Sequence, residues 1–175
     1  MIKKHKLFNL PIIHHLFGKE SYYNGIYLYR QYLEFGDISE PSVILDSGAA
    51  YGALFSAVDR NEHLLIGLDV NENMIRNMFK RRRRDKEIVI KGSCLNLPFC
   101  DSSIDLVIDN YCLIHNKREY KKGLEEYYRV LKRGGKLILT PGIDCFKEYL
   151  LYRFGNLEEK TIEGAISLKS ARSQV

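Results

Sequence analysis

Ser42-Val43-Ile44-Leu45-Asp46-Ser47-Gly48-Ala49-Ala50-Tyr51-Gly52, residues 42–52, is the stretch whose reading decides the fold. A short β-branched apolar run stops at an acid, crosses a turn of small residues and enters an amphipathic segment from Ala53 onward. That order reads as strand, glycine loop, helix. In such a unit the small turn lets a ligand approach the backbone, and the first helical N–H groups face the same crevice. An ordinary βα turn carries the same residues, because one G-x-x-x-G says little by itself.

Downstream, a second apolar run, His63 to Leu68, ends in Asp69, 23 positions beyond Asp46. This is near the spacing at which a βαβ nucleotide site sets a carboxylate on a ribose, where one acid accepts from two adjacent hydroxyls. Asp69 could instead cap the next helix, but Asn71 is a competent cap by itself. Further strands are predicted over Glu87–Gly92, Ile104–Asn110 and Lys136–Thr140, and helices over Ala53 to about Arg60, Asn73–Arg84 and Lys117–Lys132. Arg133-Gly134-Gly135 is expected to close the last of these helices with left-handed glycines. Strands alternate with helices, so the predicted fold is α/β: a Rossmann-like parallel sheet of about five strands with helices on both faces.

The chain has 175 residues, enough for one domain with a sizeable core, and its 45% apolar and 28% charged content is ordinary for a globular protein. No apolar run reaches the length of a membrane-crossing helix, and Leu7 to Phe17 is interrupted by Asn9, Pro11, His14 and His15, a poor signal-peptide core. A cytoplasmic protein with no membrane partner is expected. Cys94, Cys100, Cys112 and Cys145 share no C-x-x-C spacing, so neither a metal site nor a disulfide framework is indicated; reduced, mostly buried thiols are expected. The formal charge of +5 is concentrated in Lys80-Arg81-Arg82-Arg83-Arg84. That run reads either as a phosphate-contacting patch or as the solvated C-terminal end of a helix. The second is favoured, because no aromatic residues interleave the arginines.

Ahead of the first strand, Leu7 to Gly36 carries two helical candidates. In the second, Tyr22, Ile26, Tyr29, Tyr32, Leu33 and Phe35 recur at roughly helical spacing. The stripe suits packing against the sheet, and it would also suit a lid over the ligand crevice, since a tyrosine offers a flat apolar face and a polar tip. Three segments of one domain follow: a helical lid over residues 1–41, a nucleotide-binding core over 42–142, and a short helix and tail over 143–175.

Four motifs in order, Val43-Ile44-Leu45-Asp46-Ser47-Gly48, Gly67-Leu68-Asp69-Val70, Leu97-Pro98-Phe99 with Ile104-Asp105-Leu106-Val107, and Arg129 to Leu137, resemble the class I S-adenosylmethionine-dependent methyltransferases. The resemblance is to the subgroup that includes ubiquinone and menaquinone biosynthesis enzymes, and it spans about residues 42–142. It implies S-adenosylmethionine as cofactor. The loop, with Asp46, Ser47, Gly48, Ala50 and Gly52, would hold the cofactor's amino-acid portion, and Asp69 its ribose hydroxyls. Val70, Ser93, Cys94 and Leu95 would surround the adenine. Asn110 and Tyr111 would lie near the transferred methyl group, with Tyr111 and His115 as candidate catalytic residues and His115 a candidate base. No metal is implied. The acceptor, a small molecule, would enter near Tyr22, Tyr23, Asn110 and His115.

The chain departs from that family in three places. Ala49 or Ala50 stands where the family has glycine, which is tolerated at negative φ and penalised at positive φ. Ser93 stands where an aspartate is usual. After Gly142 only 33 residues remain, so the family's C-terminal antiparallel strand pair is expected to be missing or shortened. A missing pair would leave the fifth strand as an exposed edge, open to a homodimer or another partner chain. The alternative readings are a degenerate methyltransferase-like protein without turnover and, using the arginine run, an RNA methyltransferase.

Overall fold

The computed structural model describes residues 11–38, 41–59, 62–116 and 118–173. Its elements are α1 (Pro11–Gly36), β1 (Val43–Ser47), α2 (Ala53–Ala57), β2 (Leu64–Asp69), α3 (Glu72–Arg81), β3 (Glu87–Lys91), β4 (Ile104–Asn110), a 3-10 turn (Leu113–Asn116), α4 (Tyr120–Val130), β5 (Leu131–Thr140), α5 (Asp144–Phe154), β6 (Glu158–Ile162) and β7 (Ala165–Ala171). One sheet runs in the order β3-β2-β1-β4-β5-β7-β6. The first five strands pair in parallel, and β7 pairs antiparallel with both β5 and β6.

Because side chains alternate across a strand, neighbouring residues of β1 and β4 feed two separate cores. Ile44, Leu106 and Ile108 join Tyr29, Tyr32, Leu54, Phe55 and Met78 on the face covered by α1, α2 and α3. Leu45 and Val107 join Leu124, Tyr127, Val130, Phe146 and Leu150 on the face covered by α4 and α5. Burial on both faces explains why these strands read as continuous apolar runs. Strand order reverses between β1 and β4, and the crevice outside the strand ends at such a switch is where open α/β sheets bind ligands.

Three sequence expectations change. Of the two expectations for the C-terminal antiparallel pair, the shortened one holds and the missing one does not: the pair is compressed into Glu158–Ala171, and the sheet has seven strands where about five are expected. Strand β5 is covered by the chain's own β7 and is not an open edge for a partner. The outer strand β6 is polar and exposed over Glu158–Thr161, a composition that discourages edge pairing. Second, Gly134 and Gly135 do not close a helix. The helix ends at Val130, Leu131 is already extended, and Gly134, at φ 76°, sits in an irregularity of β5 where its N–H donates to Arg172 O at 2.9 Å. Third, α1 is one continuous helix where two are expected; Leu7 to Leu10 lie outside the described residues.

The arginine run ends α3. Arg81 donates to Tyr51 O at 3.3 Å and Arg84 to Val58 O at 2.7 Å, which turns two of its five cations inward. Lys80, Arg82 and Arg83 remain exposed. No helix among the described residues is long and apolar enough to cross a membrane.

Candidate functional site

At the switch point a cavity of about 370 Å³ opens between the exits of β1, β2, β3 and β4. Its first wall is the loop after β1. Gly48 N and Ala49 N both donate to Leu68 O, at 2.8 and 2.9 Å, and Ala50 N donates to the Asp69 carboxylate at 3.0 Å. The loop is thereby pinned across the end of β2 with these three N–H groups spent internally. Helix α2 behind it has only five residues, so the loop presents close backbone approach more than a helix terminus.

The loop's geometry is demanding. Gly48 has φ 78°, and a Cβ added there would meet Cys112 Cβ at 2.8 Å. Gly52 has φ 72° and packs on Met78. Ala50 takes φ 44°, the penalised case anticipated for an alanine in this loop.

The second wall is the exit of β3, with Gly92, Ser93 and Cys94. The Ser93 hydroxyl accepts from Leu95 N at 3.2 Å. The third wall is the exit of β4, where Asn110, Tyr111, Cys112, His115 and Asn116 line the cavity. Tyr111 is another non-glycine residue at positive φ, 63°, and its N–H donates to Thr140 O at 2.7 Å. Such strained residues concentrate at functional sites. His115, exposed on the 3-10 turn, also lines an adjoining open pocket of about 470 Å³ with Ile114, Asn116, Arg118 and Glu119.

Beneath the walls lie two fully buried carboxylates, Asp46 at the end of β1 and Asp109 near the end of β4. Asp46 Oδ1 accepts from the Tyr29 hydroxyl at 2.6 Å, while its Oδ2 has no hydrogen-bond partner among the described residues. Burial pushes Asp46 from the ordinary 3.8 up to about 8. Asp109 is better served. It accepts from Cys112 N at 2.8 Å and Leu113 N at 3.1 Å, and the Tyr127 hydroxyl lies 2.6 Å from its Oδ2. Burial raises it to about 7.

Of the residues expected from the sequence, Gly48, Ala50, Asp69, Val70, Ser93, Cys94, Asn110, Tyr111 and His115 line the cavity. Asp46 and Ser47 lie under the loop, fully buried; Gly52 packs behind it, and Leu95 is not part of the lining. Tyr22 and Tyr23 are not in the lining either. The Tyr22 hydroxyl meets Ser56 Oγ at 2.5 Å, and the Arg81 guanidinium stacks 4.4 Å from its ring. The helix reaches the site deeper, through Tyr29 on Asp46 and Tyr32, whose hydroxyl donates to Asn110 Oδ1 at 3.0 Å. Leu68, Gly92, Cys112 and Asn116 line the cavity without having been singled out. Gly92, just ahead of Ser93, was the one with a local signal. The cysteines are free but not mostly buried: Cys94 is, Cys100 is exposed, and Cys112 and Cys145 are half-buried.

A family model described as "Methyltransferase domain" matches residues 45–139, more than half of the chain. The chain is 29% identical over 133 residues to a ubiquinone/menaquinone biosynthesis C-methyltransferase of Vibrio campbellii, a match covering 65% of this chain and 51% of that protein. It spans about half the length of the curated relatives it matches first. Among solved structures, an S-adenosyl-L-methionine-dependent methyltransferase of Methanococcus maripaludis, so described without proof of activity, superposes with a TM-score of 0.72 at 16% identity, covering 88% of each chain. The magnesium protoporphyrin IX methyltransferase of Synechocystis, solved with bound S-adenosylmethionine, superposes at 0.65 and 16% identity, covering 87% of this chain and 79% of that one. At those identities the likeness is one of fold.

Proposed function

The chain belongs to the class I S-adenosylmethionine-dependent methyltransferases of the type 11 kind, and from that membership we propose that it methylates a small-molecule acceptor at the β1–β4 crevice. The observation that carries the reading is the cavity itself, lined by nine of the residues that the family resemblance assigns to the site.

The chemistry of the donor set fits the cofactor. S-adenosylmethionine, when bound, supplies a methyl group activated on a positively charged sulfur. Asp69 retains accepting capacity for ribose hydroxyls, because a carboxylate offers about four lone-pair sites and, among the described residues, the N–H groups of Ala50 and Asn71 use two of them. Val70 gives an exposed apolar surface at the cavity rim. The unpaired oxygen of Asp46 adds negative charge beneath the loop once that acid ionises, which favours a cationic ligand above it. Ser93 brings an uncharged acceptor in place of the usual carboxylate, so weaker hold on an adenine amino group follows.

The residues at the β4 exit take the acceptor's side. Asn110 is held by the Tyr32 hydroxyl and can orient a partner without reorganising, while the Tyr111 main chain, held by Thr140 O, sets its exposed ring at the cavity rim. His115 stands at the boundary between the cavity and the adjoining pocket, placed to take a proton from an acceptor held there. Helix α1 braces this site from beneath, through Tyr29 on Asp46 and Tyr32 on Asn110. The quinone precursors named for the matched relatives are the first acceptors to try.

Isothermal titration of the folded protein with S-adenosylmethionine and S-adenosylhomocysteine tests the reading, and saturable heat is expected for both. A folded sample with no heat at millimolar ligand would overturn it. His115→Gln separates the roles: methyl transfer should fall while S-adenosylhomocysteine affinity stays within twofold.

A further inference from the structure

Two cysteines distant in sequence meet at the floor of the crevice. Cys94 follows β3 and Cys112 follows β4, and both line the same cavity. One amide spans them: Asn116 Nδ2 lies 3.8 Å from Cys94 Sγ and 3.4 Å from Cys112 O. Both thiols thus face one small space, and Ser47 Oγ sits 4.0 Å from Cys112 Sγ. The sulfur of Cys112 also lies directly under the glycine loop, since a Cβ built on Gly48 would meet it at 3.0 Å. Methyl transfer uses the sulfur chemistry of neither thiol, and Cys94 enters the cofactor site only as surface beside the adenine.

We propose that Cys94 and Cys112 form a dithiol site that closes to a disulfide in reaction with hydrogen peroxide, and that closure narrows the crevice. Peroxide is the oxidant of choice because Cys94 is only 4% exposed and a reagent close to water in size can reach it through the cavity. The two thiols are unequal. Asn116 Nδ2 turns a donor toward Cys94 Sγ, which favours a thiolate there. The interaction between the pair likewise lowers the pKa of Cys94 and raises that of Cys112, so Cys94 is the nucleophile and Cys112 the protonated partner that resolves it.

In the first step the Cys94 thiolate attacks one peroxide oxygen. An S–O bond forms, the O–O bond breaks, and the departing hydroxide takes up the proton that Cys94 lost, giving water. In the second, Cys112 sulfur attacks Cys94 sulfur. The S–S bond forms, the S–O bond breaks, and the Cys112 proton leaves with the hydroxyl as a second water. Two thiols give up two electrons and two protons, and one peroxide becomes two waters.

A disulfide holds its sulfurs about 2 Å apart, well inside the contact distance of two free thiols. Closure therefore draws the Ser93–Asn96 turn and the Tyr111–Asn116 turn together, pulls Cys112 from under Gly48 and breaks the Asn116 contact. The effect on ligand rests on the cofactor reading above; the disulfide does not.

The test uses the whole chain. After peroxide treatment the remaining thiols are alkylated and the digest is mapped by mass spectrometry. The expected result is a Cys94–Cys112 linked peptide lighter by two hydrogens, reversed by dithiothreitol, with Cys100 and Cys145 still alkylated. Recovery of both Cys94 and Cys112 alkylated, or both over-oxidised without a link, overturns the proposal. In Cys112→Ser the link should vanish and Cys94 should be trapped by dimedone as its sulfenic acid; unlabelled Cys94 would count against its role as nucleophile. Titration with S-adenosylhomocysteine should show at least tenfold weaker binding for the oxidised than for the reduced protein, restored on reduction. Equal affinity in the two states would overturn the narrowing. Failure of the reduced protein to bind would sink the cofactor reading and leave the peptide map to decide the dithiol.

Discussion

Asp46 and Asp109 end adjacent parallel strands, pair across the sheet one register step apart, and are both fully buried, yet their surroundings differ. Asp109 spends its oxygens on two backbone N–H groups of the following turn and on Tyr127. Asp46 has one tyrosine and an oxygen with no hydrogen-bond partner among the described residues. A buried acid whose lone pairs are taken is an anchor for chain geometry. A buried acid left half-satisfied, beside a cavity, is a cost retained for something else. Strand β4 thus uses its acid to shape the site, and β1 holds its acid for a ligand.

Removing the anchor should have the largest effect. Asp109→Ala leaves Cys112 N and Leu113 N without their buried acceptor, at about 1–3 kcal/mol each, and leaves the Tyr127 hydroxyl with Ser47 Oγ at 2.8 Å alone. A loss of at least about 3 kcal/mol in urea unfolding is expected, with the Leu113–Asn116 turn exchanging its amides early. Less than about 1 kcal/mol would show that the turn holds itself and would erase the contrast with Asp46.

The pH dependence of stability sharpens the same comparison. Both acids are raised in the folded protein, to about 8 for Asp46 and about 7 for Asp109, against an ordinary 3.8. The folded chain therefore binds more protons than the unfolded chain across that interval, and stability falls as pH rises. The contribution is complete below about pH 4 and is lost on passing the folded values near 7 and 8. Unfolding midpoints from pH 5 to 9 should decline, and Asp46→Asn should flatten the upper part of the decline. A slope unchanged in that variant would place its origin elsewhere.

Asp46→Asn also separates folding from binding. At neutral pH the acid is largely protonated and Asn is close to it in shape, so stability should change by about 1 kcal/mol or less. Above pH 8, where Asp46 is ionised, affinity for S-adenosylmethionine, a cation, should fall about tenfold in the variant, equivalent to about 1.4 kcal/mol. Loss of stability without loss of affinity would make Asp46 a second anchor.

This distinction between the two acids is invisible in the sequence, where both are simply aspartates at strand ends. What was legible was local: apolar runs for β1 to β4, the Asn71 cap, which accepts from Asn73 N at 2.9 Å, and the spacing from Asp46 to Asp69. What was not legible depended on tertiary placement. The strand β6, Glu158-Glu159-Lys160-Thr161-Ile162, carries no alternation because an outer strand exposes nearly all of it. Gly134-Gly135 resembles a helix stop, and only the pairing of Leu131 with Ile104 and of Arg172 with the glycine main chain makes it an irregularity in a strand. Cys94 and Cys112 are 18 residues apart with no cysteine spacing motif, and β2 and β1 separate their strands in the sheet, so only the loops that leave β3 and β4 bring them to one cavity.

The smallest expected effect concerns the residues that follow the two acids. Each strand exit carries a non-glycine residue at positive φ on the cavity wall, Ala50 at 44° and Tyr111 at 63°. The left-handed conformation costs an L-residue roughly 1–2 kcal/mol. Ala50→Gly removes that cost but gives the unfolded chain more freedom, worth about 0.4–1 kcal/mol in the other direction. The net should be a gain of about 0.5 kcal/mol in urea unfolding, because the Ala50 N–H that donates to Asp69 is kept. Affinity for S-adenosylhomocysteine should hold or rise slightly, since the methyl group at the cavity wall is gone. A destabilisation beyond about 1 kcal/mol would mean that the alanine holds the loop in its bent state. In that case β1, like β4, would spend its exit residue on shaping the site, and the division between the two strands would rest on Asp46 alone.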